Sequence, residues 1–303
     1  MLGAANPRSL QKQGRPMSPH LPSTEILSIE TEDEDFSLNV SLKFISLLIP
    51  SWKIYFMPYQ LEGNVVSEFE VGVILPTYGE AENIGRLIDD IENLSIDAKI
   101  LVIDDSSPDG TADIVRQKQV KYSNILLCLR PEKSGLGTAI TDGFKIFLEN
   151  NHTPKYIVTM DADYSHNPQE LPQLLSTMIE CDCGIVIGSR YVKGGKIEGW
   201  PFSRKVISKT ANFIAKVSLG LKPHDCTSGY RCYSTKFLQE AIGCLHSHTY
   251  EIQIETVRQA AQRHFNVKET PIAFMNRKRG KSKLSWIEIK SYLSYTMKVV
   301  WRF

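Results

Sequence analysis

From Glu70 onward the chain alternates short β-rich runs with helical patterns, and no other feature limits its fold so much. Val71 to Leu75 precedes a helical pattern from Ala81, Ile100 to Ile103 precedes one from Thr111, and Ile125 to Leu129 precedes one from Leu136. Tyr156 to Met160 then precedes a helix from Pro168, and Gly184 to Gly188 closes the series. Apolar runs separated by helices predict an α/β fold with a mostly parallel central sheet flanked by helices on both faces. Ligands of such sheets bind beyond the carboxyl ends of the strands, so functional residues are expected in the segments that follow each strand. No internal repeat of fixed period interrupts the pattern.

Those segments are polar. Asp161-Ala162-Asp163 follows the fourth apolar run directly. Side chains at i and i+2 of an extended segment point the same way, and two carboxylates aimed at one point repel unless a cation lies between them. Mg²⁺ and Mn²⁺ prefer oxygen ligands and are commonly shared with phosphates, so the pair reads as a metal clamp on a diphosphate. A strand-end turn with one aspartate capping the next helix is the structural alternative. After the first strand, Tyr78 is placed to stack on a base or ribose and Glu80 to accept a hydrogen bond; after the second, Asp105 can accept from a base or sugar. Pro108-Asp109-Gly110 reads as a turn, with Thr111 capping the helix after it. Gly135-Leu136-Gly137 opens a helix but lacks a third glycine, since Ile140 stands there, so close packing explains it better than dinucleotide binding. No Gly-x-Ser-x-Gly elbow supports a nucleophilic hydrolase.

Charge is divided unevenly along the 303 residues. From Arg190 to the end there are 21 Lys/Arg against 7 Asp/Glu, whereas residues 1–189 hold 14 against 27. A basic back half suits a phosphate-bearing partner or an anionic membrane surface, and no nucleic-acid module supports that rival. The six cysteines show neither CxxC pairs nor zinc-like spacing and read as reduced, mostly buried thiols of a cytosolic protein. Residues 1–68, with scattered Pro, Ser and Gln and an acidic run from Glu30 to Asp35, read as a disordered or weakly ordered extension. Met57, just before the ordered pattern, offers an alternative start. No signal peptide is evident, and the most apolar stretch, Val40 to Met57, carries Lys43, Pro50 and Lys53.

Taken in order, Leu75-Pro76-Thr77-Tyr78-Gly79-Glu80, Asp104 to Thr111, Gly135 to Thr138, Met160 to Asp163 and Gly188-Ser189-Arg190-Tyr191 resemble dolichol-phosphate mannosyltransferase, an inverting family 2 glycosyltransferase of GT-A fold. The likeness continues through Gly199-Trp200, Arg204, Ser208, Ala211-Asn212, Asp225 to Arg231, Arg277 and Gly280 to Leu284, and spans roughly residues 70 to 295. It implies a GT-A catalytic domain over 69–284 and a mannosyl transfer from GDP-mannose to dolichyl or polyprenyl phosphate with Mg²⁺ or Mn²⁺. By the same likeness Pro76, Tyr78, Glu80, Ile103 and Asp105 hold the nucleotide, and Asp161, Ala162 and Asp163 meet the diphosphate and its metal. Arg190, Arg277 and Lys283 contact donor or acceptor phosphates, with Asp163 and Arg190 catalytic; Arg204 and Ser208 lie on the lipid-phosphate side. Some relatives place Gln where this chain has Ser165, which leaves Ser165 or a water as the third metal ligand.

The chemistry is consistent with this layout. A divalent ion offsets the charge developing on a nucleoside diphosphate leaving group. A lipid monophosphate, with a second pKa of about 6, is already ionised at neutral pH and needs a cationic cradle rather than a base. Single displacement then inverts the anomeric carbon. For Arg190 a strand-end salt bridge is the structural alternative, and for Glu255 a helix-surface ion pair; His166, His224 and His264 lack ligand spacing and read as incidental. The five cations within Arg277 to Lys283 read as a phosphate-gripping flap. Trp200 to Leu219 and a C-terminal helix over 285–303 have the make-up of amphipathic interfacial helices, which predicts a peripheral enzyme at the cytoplasmic face of a membrane. Many members of the resembled family recruit small membrane subunits, and one is expected as a partner. A UDP-glucose-dependent hexosyltransferase and a non-catalytic nucleotide-sugar-binding subunit are the alternative readings.

Overall fold

The computed structural model describes residues 59–64, 68–149 and 152–276. Residues 1–58 of the expected extension, the cationic segment from Arg277 to Lys283 and the helix expected over 285–303 lie outside the described residues.

Alternation builds the framework as β2 (Val71–Thr77), α1 (Ala81–Glu92), β3 (Ala98–Asp104), α2 (Thr111–Lys121), β4 (Ile125–Leu129), α3 (Leu136–Leu148) and β5 (Tyr156–Thr159). A short 3₁₀ turn at Pro168–Glu170 leads into α4 (Leu171–Cys181) and β6 (Ile185–Ser189). Pro168 suits the first helical position, and the preceding Asn167 side chain accepts from the Gln169 N–H at 3.1 Å. Then come β7 (Lys196–Glu198), α5 (Phe202–Leu219), β8 (Arg231–Ser234), α6 (Thr235–Ala241), α7 (Ile252–Gln262), β9 (Val267–Pro271) and β10 (Ala273–Met275). The main sheet has the order β1-β4-β3-β2-β5-β8-β6-β9, where β1 is Gln60–Glu62, and β7 pairs with β10 apart from it.

β4, β3, β2 and β5 are parallel, whereas β8 runs antiparallel between β5 and β6. The chain therefore moves outward from β2 through β3 to β4, then crosses back to place β5 on the other side of β2. That reversal opens a crevice at the carboxyl ends of β2 and β5, where such sheets bind ligands.

Two apolar layers hold the sheet. Ile74, Leu101 and Ile103 face one core with Phe144 and Phe147 of α3; Val73, Leu75, Ile100 and Val102 face the other with Ile84, Leu87, Ile88 and Ile91 of α1. Neighbouring strand residues point to opposite faces, so strands covered on both sides must be apolar at nearly every position.

Three expectations need correction. β1 lies within the segment read as an extension, and its antiparallel pairing of Gln60 to Leu129 covers the exposed edge of β4. Cys181 and Cys183 are not free thiols but form a disulfide; Asp182 between them adopts φ 45°, which turns the chain so that the two sulfurs meet. Cys128, Cys226 and Cys232 are buried and free, and Cys244 is free and exposed. Thr111 does not cap α2: the capping position is Gly110, while the Thr111 hydroxyl donates to Asp109 and accepts from the Glu80 N–H. The reading of Gly137 as a packing residue holds, since its N–H donates to the His248 carbonyl at 2.9 Å and a Cβ there would lie 2.4 Å from the Ser247 carbonyl oxygen.

Candidate active site

The loops after β2 and β3 are tied together before any ligand is considered. Asp109 accepts from the Ala81 N–H at 3.0 Å across the loops, and Ser107 accepts from the Gly79 N–H at 2.9 Å. Pro108 to Gly110 thus form the expected turn, and the turn also anchors the start of α1. Asp104 is consumed structurally, accepting from Thr77 Oγ1 at 2.8 Å and from the Ser107 N–H at 2.9 Å.

Of the expected nucleotide residues, Pro76, Tyr78, Glu80, Ile103 and Asp105 all lie at the carboxyl ends of β2 and β3. Tyr78 is half-buried, with the Lys133 ammonium 4.3 Å from its ring centre. Glu80 is buried and accepts from Asn83 Nδ2 at 2.9 Å. Ile103 packs its side chain in the core, so only its backbone can meet a ligand. Asp105 accepts from Arg130 Nε at 2.6 Å, and Arg130 also donates to Thr138 and Asp142 at 2.8 and 3.1 Å. Burial pushes the Asp105 carboxyl above its ordinary range, although Arg130 pulls the other way. Sequence reasoning missed Arg130, which sits just beyond β4 and sets the position of Asp105.

Across the crevice, Asp161 to Asp163 follow β5. The Asp161 side chain is 36% exposed, Asp163 is 6% exposed, and Ala162 is buried in the core beneath them. The Ser165 N–H donates to Asp163 Oδ1 at 2.9 Å, whereas the buried Ser165 hydroxyl has no hydrogen-bond partner. His166 is not incidental. It is fully buried, accepts the Asp161 N–H on Nδ1 at 3.2 Å and stacks on Tyr230 with ring centres 5.0 Å apart. Burial pushes its imidazole down to about 4, and Arg190 adds to that against the pull of Asp163; a neutral ring is what an accepting Nδ1 requires.

Arg190, at the end of β6, is held rather than free. Its Nε and Nη2 donate to the two oxygens of Asp225, each at 2.7 Å, and Nη2 also reaches Thr227 Oγ1 at 2.7 Å. Burial opposes charge on both partners, but each outweighs that for the other: Arg190 is raised and Asp225 lies below the usual carboxylate range. The salt-bridge reading of Arg190 is thus present in the fold, yet Arg190 also borders the cavity. Its guanidinium lies 5.4 Å from the ring centres of Trp200 and Phe274. Asp225, 35 residues away, carried no assigned role in the sequence.

One cavity of about 460 Å³ joins these parts, lined by Asp161, Asp163, Ser165 and Arg190 and by Arg204, Ser208, Ala211 and Ile214 of α5. Arg204 and Ser208 stand one turn apart on a single helix face. The Arg204 guanidinium sits 4.2 Å from the Trp200 ring centre, and Ser208 Oγ accepts from the Tyr191 hydroxyl at 2.8 Å. Phe202, Phe213 and Val217 of α5 are exposed instead. Glu255 is neither in the cavity nor in an ion pair; it is buried and accepts the His246 and Ser247 N–H groups, which fastens the loop before α7. His224 pairs with Glu269 at 2.9 Å away from the cavity, and His264 occupies a left-handed position after α7. Arg277 and Lys283 lie outside the described residues.

The donor set fits a hard divalent cation. Two carboxylates and a buried hydroxyl with no partner offer oxygen ligands only, and no closed group of three or more His, Cys, Asp or Glu occurs among the described residues. Ions that keep several waters and share substrate phosphates are bound in such open sites.

Residues 72–242 match the family described as Glycosyl transferase family 2. The chain is 38% identical over 220 residues to a polyprenol monophosphomannose synthase of Mycolicibacterium smegmatis, covering 72% of this chain and 82% of that protein. It is 37% identical over 213 residues to an undecaprenyl-phosphate mannosyltransferase of Micrococcus luteus, covering 70% and 86%. Among solved structures, mannosyltransferase PcManGT from Pyrobaculum calidifontis in complex with GDP-Man and Mn²⁺ aligns with TM-score 0.51 at 14% identity, over 80% of this chain and 68% of that one. Glucosyl-3-phosphoglycerate synthase from Mycobacterium tuberculosis, with Mn²⁺, UDP-glucose and phosphoglyceric acid, aligns with TM-score 0.54 at 17% identity, over 76% and 80%. These structural likenesses establish a shared fold, the GT-A arrangement expected from the sequence.

Proposed function

The chain belongs to glycosyl transferase family 2, and from that premise we propose that it transfers mannose from GDP-mannose to dolichyl or polyprenyl phosphate. The observation that carries this reading is the single cavity bounded by Asp161 and Asp163 on one side and by Arg204, Ser208 and apolar residues of α5 on the other. A nucleoside diphosphate sugar meets the first group and a lipid phosphate the second. The names of the two curated relatives support the acceptor class and the mannosyl group.

In this reading Pro76, Tyr78, Glu80, Asp105 and the Ile103 backbone hold the nucleotide, and Asp161, Asp163 and Ser165 hold Mg²⁺ or Mn²⁺ with the diphosphate. The ion supplies charge neutralisation on the leaving diphosphate. Arg190, oriented by Asp225, presents its remaining N–H groups to phosphate, and Arg204 with Ser208 positions the acceptor. One acceptor oxygen attacks the anomeric carbon as its bond to the diphosphate breaks, so the sugar is inverted and the nucleoside diphosphate leaves with the electron pair. No base is required, because the acceptor arrives ionised.

A donor panel tests the reading. Label from GDP-mannose is expected to enter polyprenyl phosphate, with UDP-glucose slower by about tenfold or more. EDTA is expected to abolish transfer, and added Mn²⁺ or Mg²⁺ to restore it. Equal use of UDP-glucose, or full activity in EDTA, would contradict the proposal.

The exposed apolar residues of α5 lie among Arg204, Lys205, Lys209 and Lys216, a composition suited to an anionic membrane surface. No helix of the described residues is long and apolar enough to cross a membrane. Replacing Phe202, Phe213 and Val217 by serine is therefore expected to weaken binding to anionic vesicles by about tenfold to a hundredfold. Transfer to a short, water-soluble prenyl phosphate should be spared. Unchanged flotation with vesicles would dismiss this face as the contact.

A further inference from the structure

Gln253, in the first turn of α7, is a buried polar residue to which the mechanism above gives no role. It is 2% exposed, yet it borders the same cavity as Asp161 and Asp163. Its main chain is fixed: the N–H donates to the Tyr250 carbonyl at 3.2 Å, and its carbonyl accepts from Arg231 Nη1 at 2.5 Å. Arg231 is held in turn by the Ser228 and Cys226 carbonyls, each at 2.8 Å. The side-chain Oε1 of Gln253, in contrast, is buried with no hydrogen-bond partner. A buried amide oxygen without a donor is costly, and such groups call for a role.

Gly229 supplies an independent observation. A Cβ on this residue would lie 3.3 Å from Asp161 Oδ1 and 3.6 Å from Gln253 Nε2. The carboxylate and the amide therefore flank one small space that this position, having no side chain, leaves open.

We propose that Gln253 is a specificity-determining residue whose amide binds a hydroxyl of the hexose on the nucleoside diphosphate. The inference rests on the donor reading of Asp161 and Asp163, because a diphosphate held there places its sugar next to the space beside Gly229. An amide offers both donor and acceptor, and so does a sugar hydroxyl. An ionised phosphate offers only acceptors and a prenyl chain offers neither, so neither matches the group as well.

Gln253→Met preserves side-chain length and removes both polar atoms. With the full chain and Mn²⁺, its affinity for GDP is expected to equal that of the wild type, while kcat/KM for GDP-mannose falls about tenfold to a hundredfold. Among GDP-mannose donors lacking the 2-, 3-, 4- or 6-hydroxyl, one should be used equally by wild type and variant. Wild-type kcat/KM in Gln253→Met, unaltered discrimination among the deoxy donors, or an equal loss of GDP affinity would overturn the proposal. Gly229→Ala, which places a methyl in the space, should weaken GDP-mannose relative to GDP; an unchanged ratio of the two affinities would also overturn it. If the wild type moves no mannose to polyprenyl phosphate, the transfer reading fails. Gln253 is then judged by calorimetry alone, where a GDP-mannose to GDP affinity ratio identical in wild type and Gln253→Met counts against it.

Discussion

Asp163→Ala is expected to lower mannosyl transfer by about 10³-fold, equivalent to about 4 kcal/mol of transition-state stabilisation. The carboxylate is nearly buried beside the cavity, and the substitution removes one of two anionic ligands where the leaving diphosphate must be neutralised. Folding should suffer far less. The lost contact inside the fold is the acceptor for the Ser165 N–H, which is worth about 1 kcal/mol. The measurement is steady-state transfer alongside Mn²⁺-dependent and EDTA-treated nucleotide binding. Metal-dependent binding should collapse in the variant while binding in EDTA stays level with the wild type. A variant that transfers mannose normally would favour a non-catalytic nucleotide-sugar-binding subunit instead.

Asp225→Asn should act chiefly on the fold. It leaves the buried Arg190 guanidinium without its carboxylate, and breaking a buried pair in this way costs about 3–5 kcal/mol. The sign of the pH dependence follows from the Asp225 carboxyl lying below its ordinary value in the folded chain. Its contribution is complete above the unfolded pKa of about 3.9 and is lost as pH falls through the depressed folded value. Urea denaturation should therefore show a constant gap between wild type and variant from about pH 5 to 8. The gap should shrink below about pH 4, where the wild-type carboxyl also takes up a proton. A gap that persists unchanged into acid would assign the loss to packing rather than charge. Transfer should fall as well, since the asparagine no longer locks the guanidinium fork beside the cavity.

How much of this was readable in the chain depends on the range of the forces involved. β2 to β6 fall within one or two residues of the apolar runs, because a strand buried on both faces must be apolar nearly throughout. β8 went unseen since it opens on Arg231, whose charge suggests a surface; the fold buries it by giving every arm of the guanidinium an oxygen partner. β1, β7 and β10 have three residues each, too few to show a period.

The site divides in the same way. Asp161 and Asp163 announced themselves because both sit at one strand end, where adjacency in sequence is adjacency in space. Arg130, Asp225, His166 and Gln253 gave no such signal. Each acquires its meaning from a partner brought near by the crossing of the chain or the packing of a loop, as when Asp225 meets Arg190 from 35 residues away. Local pattern alone thus determined the βα order, the strand ends that carry chemistry and the basic character of the back half. Only the tertiary structure decided which charged groups are spent on one another and which border the cavity, because pairing in a buried site depends on distance through space, which sequence spacing does not encode.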